Sequence, residues 1–217
     1  MNRDMRALSH GPPTSGPTVH TIVTCGTGRG RHATTVDPMT VTDASSFVDS
    51  KIAVVPDFPK PGILFRDVTP LFSDADAFAT VTTALSEPFD GGFVAVAGIE
   101  ARGFALAGGI AIEQGVGVLT VRKAGKLPGE VLSESYALEY GEATLELRPN
   151  QIPAGSSVLI VDDVLATGGT VEATITLLER AGYVVAGVAV LLELDGLGGR
   201  ARLEGRVPVH ALSSAPA

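Results

Sequence analysis

Val158-Leu159-Ile160-Val161-Asp162-Asp163-Val164-Leu165-Ala166-Thr167-Gly168-Gly169-Thr170 is the stretch that decides the fold. Its first four residues are uninterrupted Val, Leu and Ile, the composition of a strand buried on both faces. Two carboxylates follow at the carboxyl end of that strand, where open α/β sheets bind ligands. A turn of small residues, Ala166, Thr167, Gly168, Gly169 and Thr170, then opens a helix with apolar positions Val171, Ile175, Leu178 and Ala181. Such a turn suits a phosphate. Glycines let the backbone approach closely, free N–H groups and the helix dipole stabilise an anion, and Thr167 and Thr170 add hydroxyl donors. Asp162 and Asp163 cannot bind the phosphate itself; acceptor-only carboxylates suit sugar hydroxyls and a nearby magnesium ion. A phosphate site and a diol site one turn apart describe a ribose 5-phosphate. The plainer alternative, a strand-to-helix turn with capping residues, leaves two acids at a buried strand end without a purpose. A Walker P-loop is ruled out, because no GxxxxGK[ST] occurs.

Around this segment, apolar strands alternate with helical patterns. Helices are predicted over 43–54 with Asp43 as its cap, from Asp74 or Asp76 to 87, over 103–114 and over 169–181. Strands are predicted over 93–97, 116–121, 157–161, 184–192 and 207–212. Residues 56–62, with three prolines, forbid helix and make a fixed extended turn. Residues 123–142 are polar and glycine-bearing, with little core. The alternation predicts an α/β protein, with a mostly parallel twisted sheet flanked by helices. At ~150 residues per domain, the chain length fits one domain with an appendage. Residues 1–44 are that appendage: they hold four of the fourteen prolines, no lysine and no sustained periodicity. They are expected to form a disordered extension, with the domain over 45–217. Met39 offers an alternative start, and Arg3, Arg6, Arg29 and Arg31 leave a transit peptide open.

Composition narrows the chemistry. A single cysteine, Cys25, rules out an internal disulfide and a Cys-based zinc site, and four scattered histidines argue against a histidine metal cluster. The net charge of −8 is a poor footprint for a nucleic-acid binder, although a local pocket can still be basic and take anionic small molecules. The longest apolar runs, such as 183–192, fall far below the ~18 residues of a membrane span. The stretch 21–30 imitates a strand entering a dinucleotide loop, but Arg31 stands where that loop needs glycine and no helical pattern follows.

Five separated segments carry a resemblance. The phosphate turn looks like the signature of the type I phosphoribosyltransferases. Pro56-Asp57-Phe58-Pro59-Lys60-Pro61-Gly62-Ile63-Leu64-Phe65-Arg66-Asp67 resembles the base-binding stretch of their adenine-specific branch. Gly98-Ile99-Glu100-Ala101-Arg102-Gly103-Phe104 is similar to its diphosphate loop. Arg122-Lys123-Ala124-Gly125-Lys126-Leu127-Pro128-Gly129 and Ser135-Tyr136-Ala137-Leu138-Glu139-Tyr140-Gly141 are similar to its flexible loop. The match runs in order from about residue 45 to 210, and the first 44 residues have no counterpart.

The resemblance implies a type I phosphoribosyltransferase fold with a small amino-terminal hood and a flexible lid. It implies that adenine and 5-phosphoribosyl 1-diphosphate (PRPP) give AMP and diphosphate, with magnesium bound mainly through PRPP or diphosphate. Asp162 and Asp163 would face the ribose hydroxyls, and residues 166–170 would wrap the 5-phosphate. Arg102, Arg122, Lys123 and Lys126 would meet the diphosphate, with Ala101 beside it. Phe65 and Leu194 would sandwich adenine, while backbone groups of Leu64 and Arg66 read its edge. Glu139 would sit near the purine N7 as acid–base partner, with Tyr140 adjacent. A cytoplasmic homodimer without nucleic-acid or membrane partners is implied. Each role has a plainer counterpart: Phe65 and Leu194 as core, Arg102 as a loop cap, Glu139, Lys123 and Lys126 as solvated charges. Two rival functions remain: transfer to another purine, decided by residues 56–67 and Leu194, and a non-catalytic nucleic-acid-binding regulator, disfavoured by the net acidity.

Overall fold

A computed structural model describes residues 41–137 and 141–217. The extension predicted over 1–44 therefore lies outside the described residues up to position 40, as do Cys25 and the 21–30 stretch. The described residues belong to one compact unit.

The central strand β7 (Ser157–Leu165) is longer than its apolar run, because Asp162 and Leu165 still pair with Val190 and Glu193 of β8 (Val184–Asp195). Its side chains alternate between two cores. Val158 and Ile160 face one cluster, together with α5 (Gly169–Arg180). Leu159 and Val161 face the other, together with α1 (Val41–Lys51), α2 (Thr69–Ser73), α3 (Ala75–Ser86) and α4 (Gly103–Gln114). Both faces are thus covered, which is why the strand reads as continuous Val, Leu and Ile.

The other strands are β3 (Ala95–Ile99), β4 (Gly117–Lys123), β5 (Leu132–Ala137), β6 (Glu142–Leu147) and β9 (Val209–Pro216), in sheet order β5-β6-β4-β3-β7-β8-β9. Strands β4, β3, β7, β8 and β9 run parallel; β5 and β6 form an antiparallel pair joined to β4 through Arg122↔Glu146 and Lys123↔Leu145. Ahead of the sheet, β1 (Ala53–Pro56) and β2 (Leu64–Asp67) make a separate antiparallel ribbon across the proline-rich turn. This ribbon, exposed on β1 and half-buried on β2, is the hood.

Several boundaries depart from expectation. Helix α1 stops at Lys51 rather than 54, because Ala53–Pro56 pairs with β2 instead. Among the described residues of 123–142 none is fully buried, as expected, but the stretch is not all loop: β5 forms within it, and its Leu132 and Tyr136 pack half-buried against the core cluster. Helix α3 starts as expected: the Asp74 carboxylate accepts the N–H groups of Asp76 and Ala77, both at 3.1 Å. Among the described residues, no helix is long and apolar enough to cross a membrane.

Ile160 is fully buried at the middle of this sheet. Replacing it with Ala should cost about 2–5 kcal/mol through lost burial and a residual cavity. Urea unfolding with an unchanged slope measures this.

Candidate active site

From β3 the chain passes through α4 to β4 on one side; from β7 it passes through α5 to β8 on the other. The carboxyl ends of β3 and β7 therefore border the crevice where strand order reverses, the place such sheets offer a ligand. Asp162 and Asp163 lie in β7 at this crevice. The Asp163 N–H donates to Asp162 Oδ1 at 2.9 Å. Arg102, at the start of α4, sends Nη1 to Asp163 Oδ2 at 2.8 Å. The same guanidinium lies 5.9 Å from the Phe65 ring centroid. Phe65 in turn meets Phe58 edge to face, with centroids 5.0 Å apart. The structure thus joins one expected base contact, one expected diphosphate contact and the twin acids.

Asp162 is only 8% exposed. Burial holds its carboxyl well above the usual range, and the neighbouring Asp163 charge pushes it further; Arg102 offsets part of this.

The phosphate turn stands at the end of β7. Gly168 has φ 79°, a left-handed conformation that suits glycine, and it caps α5 without any side-chain hydrogen bond. No capping side chain therefore occupies the helix N-terminus. Thr167 is exposed, whereas the Thr170 hydroxyl donates to the Tyr136 phenol oxygen at 3.1 Å.

The remaining cations are arranged differently. Arg122 sends Nε to Glu100 Oε2 at 3.2 Å and Nη1 to the Lys126 carbonyl at 3.3 Å. Its guanidinium also lies 5.8 Å from the Phe104 ring. Glu100 accepts the Lys123 N–H at 3.1 Å. Burial pushes the Glu100 carboxyl up, but the Lys123 N–H and Arg122 together outweigh it and hold the group below its usual range. The side chains of Lys123 and Lys126 are exposed, as is Ala101.

Leu194 is half-buried near the end of β8, in register with Ala215, and lines a hollow of about 640 Å³ with Glu193, Gly199 and Arg200. Leu64 and Arg66 flank Phe65 in β2; Leu64 is exposed, and Arg66 borders a smaller hollow with Leu192 and Ser214. Glu139 and Tyr140 lie outside the described residues. Among the described residues, no three His, Cys, Asp or Glu side chains converge to hold a metal ion. The acid pair is nevertheless chemically compatible with magnesium, which takes one or two carboxylates and otherwise water and substrate phosphates.

Sequence reasoning did not single out Glu100 or Tyr136 individually, although both fall within the quoted segments. It also passed over α6 (Gly199–Leu203), whose five residues carry no capping side chain to announce them.

Sheet, crevice and glycine turn define a protein that handles a sugar phosphate, and the family described as Phosphoribosyl transferase domain matches residues 75–211. The chain is 60% identical over 176 residues to an adenine phosphoribosyltransferase of Clavibacter sepedonicus, covering 80% of this chain and 90% of the relative. Crystal structures of adenine phosphoribosyltransferases are similar as well. That from Rhodothermus marinus has a TM-score of 0.75 at 48% identity, covering 80% of this chain and 99% of that one. That from Saccharomyces cerevisiae, complexed with D-2,5-dideoxy-2,5-imino-altritol 1,6-bisphosphate and adenine, has a TM-score of 0.74 at 38% identity, covering 79% and 99%. This chain belongs to the adenine phosphoribosyltransferase family.

The raised Asp162 carboxyl has a signed consequence. The folded state holds that proton to higher pH than the unfolded chain does, so stability falls as pH rises above about 3.9, the ordinary Asp value. The fall ends once the pH passes the raised value. Asp162→Asn removes this term, so the stability advantage of the variant over the parent should grow with pH across that window and then level off. Urea unfolding between pH 4 and 8 checks the sign; a parent protein that gains stability relative to Asp162→Asn with rising pH would contradict it.

Proposed function

We infer that this chain transfers the 5-phosphoribosyl group of PRPP to adenine, giving AMP and diphosphate in purine salvage. The observation that carries this reading is the crevice where Arg102, Asp163 and Phe65 meet beside an uncapped glycine turn.

The chemistry follows from charge. As diphosphate leaves C1, positive charge builds on the anomeric carbon and ring oxygen, as in glycoside cleavage. Negative charge builds on the leaving group. Magnesium carried by the PRPP diphosphate would supply charge neutralisation there. Arg102, Arg122, Lys123 and Lys126 are assigned to the same task, with Ala101 beside the diphosphate. Arg102 and Arg122 are each held in place by a carboxylate, Asp163 and Glu100 respectively. Backbone N–H groups of 166–170 and the Thr167 and Thr170 hydroxyls hold the 5-phosphate. Asp162 and Asp163 take the ribose hydroxyls. Phe65 and Leu194 hold the adenine ring, and the backbone at Leu64 and Arg66 reads its edge. Two anchors, phosphate and base, fix C1 between nucleophile and leaving group. Glu139 manages the purine proton, a role typically worth ~10²–10⁴-fold, with Tyr140 adjacent. The stretch 124–142, polar and glycine-bearing, is assigned to closing over the crevice and excluding water. The reading includes a cytoplasmic homodimer, with the residues ahead of α1 as an extension outside the catalytic domain; the expected boundary at 44 moves back, because α1 starts at Val41 and Ala44 is buried.

Incubation with PRPP, magnesium and adenine, hypoxanthine, guanine or xanthine in turn tests this. AMP should form from adenine, and the Asp162→Asn/Asp163→Asn double variant should lose PRPP use while remaining folded. A nucleotide formed from another base in preference to adenine, or full activity in the double variant, would contradict the assignment.

A further inference from the structure

The phosphate turn is braced from behind by a residue that none of the preceding roles uses. A cradle that points its N–H groups at an anion points its carbonyls away, and each such carbonyl needs a donor. Arg202 of α6 supplies one: its Nη1 donates to the Thr167 carbonyl at 3.2 Å. The guanidinium passes close behind the two glycines that follow. A Cβ added to Gly168 would meet Arg202 Cδ at 3.4 Å, and one added to Gly169 would meet Arg202 Nη1 at 3.1 Å. Helix α6 begins against the same turn, since a Cβ on Gly199 would lie 2.2 Å from the Ala166 carbonyl oxygen.

Arg202 has a second contact. Glu172 lies in the first turn of α5, the helix whose N-terminus faces the anion site. A carboxylate there competes with a bound phosphate for the positive end of the helix. Arg202 Nε stands 3.3 Å from Glu172 Oε2, and Arg206 Nη1 stands 3.8 Å from Glu172 Oε1. The Glu172 charge is therefore balanced by two guanidinium groups, one of which also touches the turn. These pairs are partly exposed and contribute little to global stability. Their effect is local to the turn.

We propose that Arg202 is a positioning residue for the 5-phosphate cradle. It fixes the Thr167–Gly168 peptide with its carbonyl turned out, and it cancels the Glu172 charge that would otherwise repel the sugar phosphate. The inference rests on the phosphoribosyl reading of the turn and adds a residue to it. A cationic donor on the Thr167 carbonyl also polarises the peptide toward a stronger N–H donor at Gly168.

The test is calorimetric binding of ribose 5-phosphate and, separately, of AMP, to the full chain, with thermal melting in parallel. Arg202→Ala should weaken ribose 5-phosphate roughly ten- to a hundred-fold, the range of one lost charge-assisted contact. Arg202→Lys should recover part of the loss. The Arg202→Ala/Glu172→Gln double variant should also recover part of it, which a purely structural role would not produce. In turnover, KM for PRPP should rise while KM for adenine at saturating PRPP stays within about two-fold. Unchanged ribose 5-phosphate binding in Arg202→Ala would overturn the inference. So would a loss that tracks a large drop in melting temperature and is not relieved by Glu172→Gln. Parent protein that binds neither ribose 5-phosphate nor AMP would instead overturn the phosphoribosyl reading, and the inference with it.

Discussion

An anion held by backbone N–H groups needs a peptide bent into a shape that few residues adopt, and the turn at 166–170, to which the proposed function assigns the 5-phosphate, has such a bend at Gly168. Gly168 takes the left-handed backbone that lets α5 start without a capping side chain. Everything near the turn is arranged around that uncapped end. Strand β7 brings it to the carboxyl edge of the sheet, and the two buried clusters on either face keep the strand in place. The Thr170 hydroxyl is tied to Tyr136 of β5, so the turn also touches the segment assigned to close over the site.

The second organising feature is that two of the four cations assigned to the diphosphate are ion-paired with carboxylates. Arg102 rests on Asp163 and Arg122 on Glu100. Both pairs are partly exposed, where an ion pair is worth little and exchanges readily for a stronger anion. A diphosphate with its metal is such an anion. The acids beneath are unequal: burial favours a proton on Asp162, while Asp163 is more open and carries the ion pair with Arg102. A net charge of −8 is thereby compatible with a site for polyanions, because the relevant field is local.

Much of this was legible in the sequence for identifiable reasons. Helix α4 matches its predicted span because Gly115 takes the left-handed C-cap position that ends it. Helix α3 was announced by Asp74. Strand β7 was recognised from four apolar residues but underestimated, since Asp162 and Asp163 look like a strand end while the backbone continues to pair with β8. The hidden elements were short or masked by punctuation. Strand β2 is four residues after a proline-rich turn, and α6 begins on the last of three glycines within four residues, Gly196, Gly198 and Gly199. Strands β5 and β6 sit among glycines, although β5 alternates half-buried and exposed in the period that marks a strand. The site shows the same division. The turn and acid pair were readable from chemistry at fixed spacing. The Arg102–Phe65 approach, the Tyr136–Thr170 bond and the Arg202 brace depend on residues far apart in the chain that folding brings together.

The most direct measurement is a crystal structure with AMP bound. The account predicts the 5-phosphate on the N–H groups of 166–170, the ribose hydroxyls on Asp162 and Asp163, and the adenine ring held between Phe65 and Leu194. AMP lodged elsewhere, or seated with its ribose turned away from the two aspartates, would contradict it.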